Sequence, residues 1–245
     1  MSGLLWNTAA LSTESSQPPY GPAPAPLDGP ELPSFRYSLG AQKTEQFNGG
    51  TAKEANVTGF PVSEKLAGVY MTLEPGALRE LHWHANAAEW AYVIEGNCRV
   101  TTIDPAGQCE IVDFGPGDVW YFPRGHGHSI QGLGPGTCTF LLVFDNGYFS
   151  EFGTFSITDG LGHTPPEVLA KTFDLPAETF ADFPKKQVYI ATGPVRPALP
   201  QKPAPGLLDN PPHIHRDQLL AQKPDVFAGG TMRKVSGWNS RSRPP

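Results

Sequence analysis

Gly76-Ala-Leu-Arg79-Glu-Leu-His82-Trp-His84-Ala-Asn-Ala-Ala-Glu89-Trp-Ala-Tyr-Val-Ile-Glu-Gly96 is the stretch that decides the fold. His82 and His84 stand two residues apart, so on a β-strand both imidazoles point to the same face. Glu89 follows after a gap long enough for a turn, and Gly96 closes what reads as the next strand. A second stretch, Gly117-Asp-Val-Trp-Tyr-Phe-Pro-Arg-Gly-His-Gly-His128, brings a third imidazole to the same place. Burying three imidazoles and a carboxylate in a β-core without a cation would be costly. The four side chains therefore point to a metal site with open positions, and to an enzyme that works through its metal.

Outward from this stretch the β pattern continues on both sides. Leu66–Leu73, Arg79–His84, Glu89–Ile94, Cys98–Ile103, Gln108–Phe114, Val119–Phe122, His128–Gln131 and Thr137–Phe144 read as strands. Turns such as Glu74-Pro75-Gly76, Glu95-Gly96-Asn97 and Asp104-Pro105-Ala106-Gly107 separate them. About eight short strands with Gly or Pro turns predict a β-sandwich or barrel. Upstream, Phe35–Thr58, with its turn at Asn48-Gly49-Gly50, is expected to wrap as edge strands. Downstream, Thr164-Pro165-Pro166-Glu167 reads as a helix start with Thr164 as N-cap. That helix would continue through Val168–Phe173, with a second short one at Pro176–Phe183 and a weak one at Arg216–Gln222.

The chain of 245 residues has 27 Pro and 27 Gly, with Pro concentrated in Gln17–Pro33 and Pro194–Pro212. This predicts one domain with loose ends: an extended or disordered arm over 1–33, a β-domain with a lid and helical extension over 34–183, and a Pro-rich linker from 184 to 245. A net charge of −6 with no Lys/Arg block disfavours a nucleic acid or an anionic membrane surface as partner. No apolar run is long enough to span a bilayer. Met1-Ser-Gly-Leu-Leu-Trp-Asn7 lacks a basic start followed by an apolar run, so a cytoplasmic protein is expected, or a secreted one if the true start differs. Three cysteines without Cys-x-x-Cys spacing read as small core residues. Gly229-Gly-Thr-Met-Arg-Lys-Val235 weakly repeats Gly49-Gly-Thr-Ala-Lys-Glu-Ala55, as though a second β-domain were opening.

Other candidates read more blandly. Trp120, Phe122 and Phe144 suit barrel packing, with Trp120 also able to wall a pocket. His126 is read as a non-ligand. His163, His213 and His215 fall outside the pattern, and His213-Ile-His215, in a Pro-rich linker, is expected to face solvent. Arg79 stands three residues before His82, so strict alternation sends it to the opposite face. A bend near Glu80 would be needed to bring it in.

The two stretches resemble the paired motifs of the cupin superfamily: Gly76-x5-His82-x-His84-x4-Glu89-x6-Gly96 and Gly117-x5-Pro123-x-Gly125-x2-His128, with Gly132 where Asn often stands. Leu73–His84, Glu89–Tyr92, Asp118–Pro123 and Thr139–Asp145 look more closely like the N-terminal domain of the bicupin oxalate decarboxylases. The resemblance implies an all-β fold: a single cupin jelly-roll barrel with an N-terminal arm, short C-terminal helices and a Pro-rich tail, ending in the start of a second cupin. It implies conversion of oxalate to formate and carbon dioxide with manganese and dioxygen, and His82, His84, Glu89 and His128 as ligands. It implies that Arg79 lines the pocket and binds oxalate, and that Ser150-Glu151-Phe152-Gly153-Thr154 is a lid. In that lid Glu151 is the proton donor, and Thr154 helps hold the closed lid and the arginine. Phe152-Gly153 departs from the more polar lid residues of that family, and Gly153 could serve as a hinge. Alternatives are an oxalate oxidase producing hydrogen peroxide, and a truncated, non-catalytic metal-binding cupin. A homo-oligomer is expected, because self-association would cover the surface that a partner domain buries.

Overall fold

Alternation of apolar and polar residues builds the first layer. In β3 (Ala67–Leu73) Ala67, Val69, Met71 and Leu73 point inward, while Gly68, Tyr70 and Thr72 do not. The computed structural model describes residues 34–197 and 215–235. The expected arm over 1–33, His213 and most of the linker lie outside them. Ahead of β3 stand β1 (Glu45–Phe47) and β2 (Gly50–Ala55), the expected edge strands. After it come β4 (Leu78–Trp83), β5 (Glu89–Glu95), β6 (Cys98–Ile103), β7 (Cys109–Phe114), β8 (Asp118–Phe122), β9 (Gly127–Gly132) and β10 (Cys138–Phe144). Next are β11 (Phe155–Ser156), the helices α1 (Ile157–His163) and α2 (Pro166–Phe173), β12 (Ile190–Ala191), β13 (Arg216–Gln218), β14 (Asp225–Phe227) and β15 (Gly230–Met232).

Of the two large sheets, one runs β1-β2-β3-β10-β5-β8-β13 and the other β11-β4-β9-β6-β7, with β12 also on β4, while β14 and β15 pair separately. Among the described residues every pairing is antiparallel. Both sheets feed one core, in which Met71, Val93, Phe140 and Leu142 from the first meet Val100, Val112, Phe114 and Ile130 from the second. This is a single jelly-roll domain, within the sandwich-or-barrel class that the strand pattern predicts. Gly76 lets the chain turn into β4 at φ +82°, and a Cβ there would collide with the carbonyl of Gly193 where the chain returns beside it.

Downstream, three expectations are corrected and one helix is new. Thr164 ends α1 rather than starting α2: its hydroxyl donates to Gly160 O at 2.6 Å, and Pro165 takes the N-cap position of α2. Helix α1 itself was not expected; Ser156 Oγ caps it by accepting from Asp159 N–H. Arg216–Gln218 is a strand followed by a 3₁₀ turn, because it finds the open edge of β8 and an ion pair from Arg216 to Asp118 at 2.7 Å. The domain also runs past 183, since Tyr189 and Ile190 are buried in the core. The weak repeat has a structural counterpart: β14–β15 pairs Asp225 with Met232 and Phe227 with Gly230, the register in which β1–β2 pairs Glu45 with Ala52 and Phe47 with Gly50. No helix among the described residues is long and apolar enough to cross a membrane.

Candidate active site

Pairing of β4 with β9 sets His82 opposite His128, and β5 opens with Glu89 from the other sheet. His84 follows the end of β4. The four side chains are buried, and one ligand atom from each lies within 4.8 Å of all the others. The local backbone orients two of the rings. His82 Nδ1 donates to Glu80 O at 2.7 Å and His128 Nδ1 to His126 O at 2.9 Å, which leaves each Nε2 with a lone pair turned inward. Trp120 Nε1 donates to Glu89 Oε1 at 2.7 Å, turning Oε2 toward His128 Nε2 at 3.3 Å and His84 Nδ1 at 3.6 Å. Trp120 is thus more than packing: it aims a carboxylate.

Burial, the Arg79 charge and the neighbouring imidazoles hold His82 and His84 well below the usual histidine range, so both are neutral lone-pair donors. Nε2 of all three histidines and Glu89 Oε2 are buried without a hydrogen-bond partner. Four orphaned polar atoms facing one another fit a divalent cation, and three nitrogens with one carboxylate oxygen suit manganese, iron or zinc.

Arg79 is fully buried on the same side. The register between β4 and β9 shifts between Arg79 and His82, and this bulge breaks the alternation that would have turned the arginine away. Its Nε and Nη2 donate to Glu151 Oε1 at 3.0 and 2.9 Å, and Nη2 also to Thr154 Oγ1 at 2.8 Å. The Tyr189 ring lies 3.9 Å beneath the guanidinium. Glu151, on a 3₁₀ turn at Glu151–Gly153, sends Oε2 to within 3.6 Å of His84 Nε2. Burial raises its carboxyl to about 7, against the opposing pull of Arg79. Ser150 does not reach this centre; its hydroxyl donates to Glu54 Oε2 at 3.1 Å.

Three residues here escaped the sequence. Glu54, on β2, accepts from the Glu151 backbone N–H at 2.7 Å as well as from Ser150, so it grips the turn that carries Glu151. Glu80 accepts from Tyr189 N–H and from both the N–H and hydroxyl of Thr158, tying α1 to β4. Tyr189 sits at φ +64°, a conformation costing about 1–3 kcal/mol outside glycine. Bonds from its N–H to Glu80 and from Glu80 N–H to its carbonyl offset that strain. Only the short apolar run Val188-Tyr189-Ile190 after Pro184 signalled a packed segment there. His215, expected to face solvent, is buried against Glu110.

A cupin family profile matches residues 37–180. The chain belongs to the cupin family. Among curated relatives, this cupin is 43% identical to oxalate decarboxylase OxdC of Bacillus subtilis over 84% of its own length and 53% of the relative's. It is 39% identical to a probable oxalate decarboxylase of Arthroderma benhamiae, over 61% of this chain and 37% of the other. A structure from a study of the Mn(II) centres of the Bacillus subtilis enzyme superposes with a TM-score of 0.76 at 41% identity, over 84% of this cupin and 54% of that chain. The cupin therefore spans about half the length of the bacterial relative it matches.

Proposed function

We propose that this cupin carries the catalytic centre of an oxalate decarboxylase, converting oxalate to formate and carbon dioxide, with manganese held by His82, His84, Glu89 and His128 and dioxygen as catalytic partner. The observation that carries the reading is the buried Arg79–Glu151 pair facing the four ligand atoms. A bound manganese ion with dioxygen supplies the one-electron chemistry that loosens a C–C bond having no electron sink of its own.

The chain's residues do the rest. A small dianion needs a fixed positive partner, and Arg79 is held in place by Thr154, Tyr189 O and the Tyr189 ring. Glu151 occupies two of its donors, so oxalate and Glu151 compete for the arginine. Entry of oxalate requires Glu151 and its 3₁₀ turn to swing out, and their return closes the site to water. The C–C bond of the dianion breaks, one carbon leaves as carbon dioxide, and the other takes a proton to become formate. Glu151, returned to the carbon by closure, supplies that proton and regains one from solvent.

The test uses manganese-loaded chain incubated with oxalate in air, with formate and peroxide assayed together. Formate in excess is expected. Glu151→Gln should suppress formate at unchanged manganese content, and undiminished formate would remove Glu151 from the mechanism. Peroxide in excess would make the protein an oxidase, and neither product with manganese bound would leave a metal-binding cupin. The same reading includes a homo-oligomer, supported by the exposed Phe155, Val168, Phe173 and Phe227. A folded monomer in a sizing experiment would contradict it.

A further inference from the structure

Behind the ligand cluster, across the ring of Phe122, lies a second pair of imidazoles. The Phe122 ring stands 4.3 Å from that of His128 on one side and 6.2 Å from that of His215 on the other. His215, immediately before β13, is only 6% exposed. Its Nδ1 bonds Glu110 Oε2, on β7, at 2.5 Å. That contact puts the proton on Nδ1 and the lone pair on Nε2, as a carboxylate does behind a metal-bound histidine. Nε2 is itself buried and has no hydrogen-bond partner. His126, from the turn between β8 and β9, places its ring 5.6 Å from that of His215 at 63°, and its Nδ1 is also buried without a partner. The rings of the ligand cluster stand 4.3 to 5.0 Å apart, so this spacing is only slightly wider.

Orphaned nitrogens are costly in a buried setting. One cation between them would satisfy both. We infer that His126 and His215, with Glu110 orienting the latter, form a second metal site that fastens the linker strand to the barrel. Among the described residues only the cluster at His82 gathers three or more ligand atoms within 4.8 Å. The second site therefore offers two imidazoles, with water completing the shell. Imidazole nitrogens select a late divalent transition ion such as zinc, cobalt, nickel or copper, whereas calcium and magnesium require oxygen ligands. The anchored element gains from this. Strand β13 meets β8 over only three residue pairs, and Arg216 adds an ion pair to Asp118 and a contact with the Phe114 ring. An ion shared by His215 and His126 would join the linker to the turn that also carries His128 into the catalytic centre.

The probe is Co²⁺, titrated into full chain stripped of metal, with bound equivalents counted after gel filtration and the visible cobalt absorption recorded. The chain should bind two equivalents. His126→Gln, at a half-exposed position, should bind one, and so should His84→Ala, whose remaining equivalent is the one His126→Gln loses. Glu110→Gln should weaken the second equivalent by about 10- to 100-fold. A saturating Co²⁺ addition should raise the Tm of the chain by more than that of His126→Gln. One equivalent in the unmodified chain, or two in His126→Gln with an unchanged circular dichroism spectrum, would overturn the assignment.

Discussion

Replacing Trp120 by Phe separates the aim of Glu89 from the packing around it. The indole is 1% exposed, lies 5.8 Å from Phe122 in a stacked arrangement, and meets Phe114 and Phe140 edge-on. A phenyl ring retains much of that apolar contact but loses the 2.7 Å bond to Glu89 Oε1. The carboxylate oxygen then has no donor in a site closed to water, which costs about 1–3 kcal/mol. It is also freed to rotate, so Oε2 no longer rests beside His128 and His84. Removing such an orienting partner typically lowers metal affinity by about 10- to 100-fold, or roughly 1.4 to 2.8 kcal/mol. The assay is competition for Mn²⁺ against a chromophoric chelator, with manganese content checked after dialysis. Phe140→Leu serves as control. It loosens the packing against Trp120 at a cost of about 1–2 kcal/mol but leaves the indole bond, so its manganese affinity should stay unchanged. If Trp120→Phe holds manganese as tightly as the unmodified chain, Trp120 is only core and does not aim Glu89.

Other tests follow from the same geometry. Thr154→Val should remove the 2.8 Å bond to a charged, buried Arg79, costing about 1.5–3 kcal/mol, read as a higher KM for oxalate at unchanged manganese content. Glu54→Gln should loosen the grip on Ser150 and Glu151 and shift products from formate toward peroxide; an unchanged ratio would show that Glu54 does not hold the lid. The same variant tests a pH effect. Burial raises the Glu54 carboxyl above its ordinary 4.5, so the folded state binds that proton more tightly than the unfolded one. Its contribution to stability is full below 4.5 and is lost as pH rises through the raised value, so Tm measured from pH 4 upward should decline less in Glu54→Gln. Tyr189→Ala should cost about 3–5 kcal/mol in urea unfolding, because it removes the ring beneath Arg79 and leaves the strained backbone in place.

By itself the sequence determined the central strands, β3 to β10, and the four members of the buried His–Glu cluster. Both rest on relations short along the chain. The inward set of β3 follows from alternation over seven residues. His82, His84 and Glu89 fall within one strand–turn–strand unit, so their chemistry and spacing point to a cation whatever the rest of the barrel does. Arg79 marks where local reading stops. Alternation turns it outward, and only the bulge against β9 brings it in, because a bulge depends on two strands meeting and not on one strand's composition. The helix boundary at Thr164 and the strand at Arg216 were missed for a like reason: neighbours remote in sequence changed what each segment could bond. Only the tertiary structure decided which contacts hold the groups around the His–Glu cluster. Glu151 meets Arg79 across 72 residues, Glu54 meets Glu151 N–H across 97, Tyr189 meets Glu80 across 109, and His215 meets Glu110 across 105. Buried carboxylates and imidazoles must find partners, but the path by which the chain returns to them settles which partners they find.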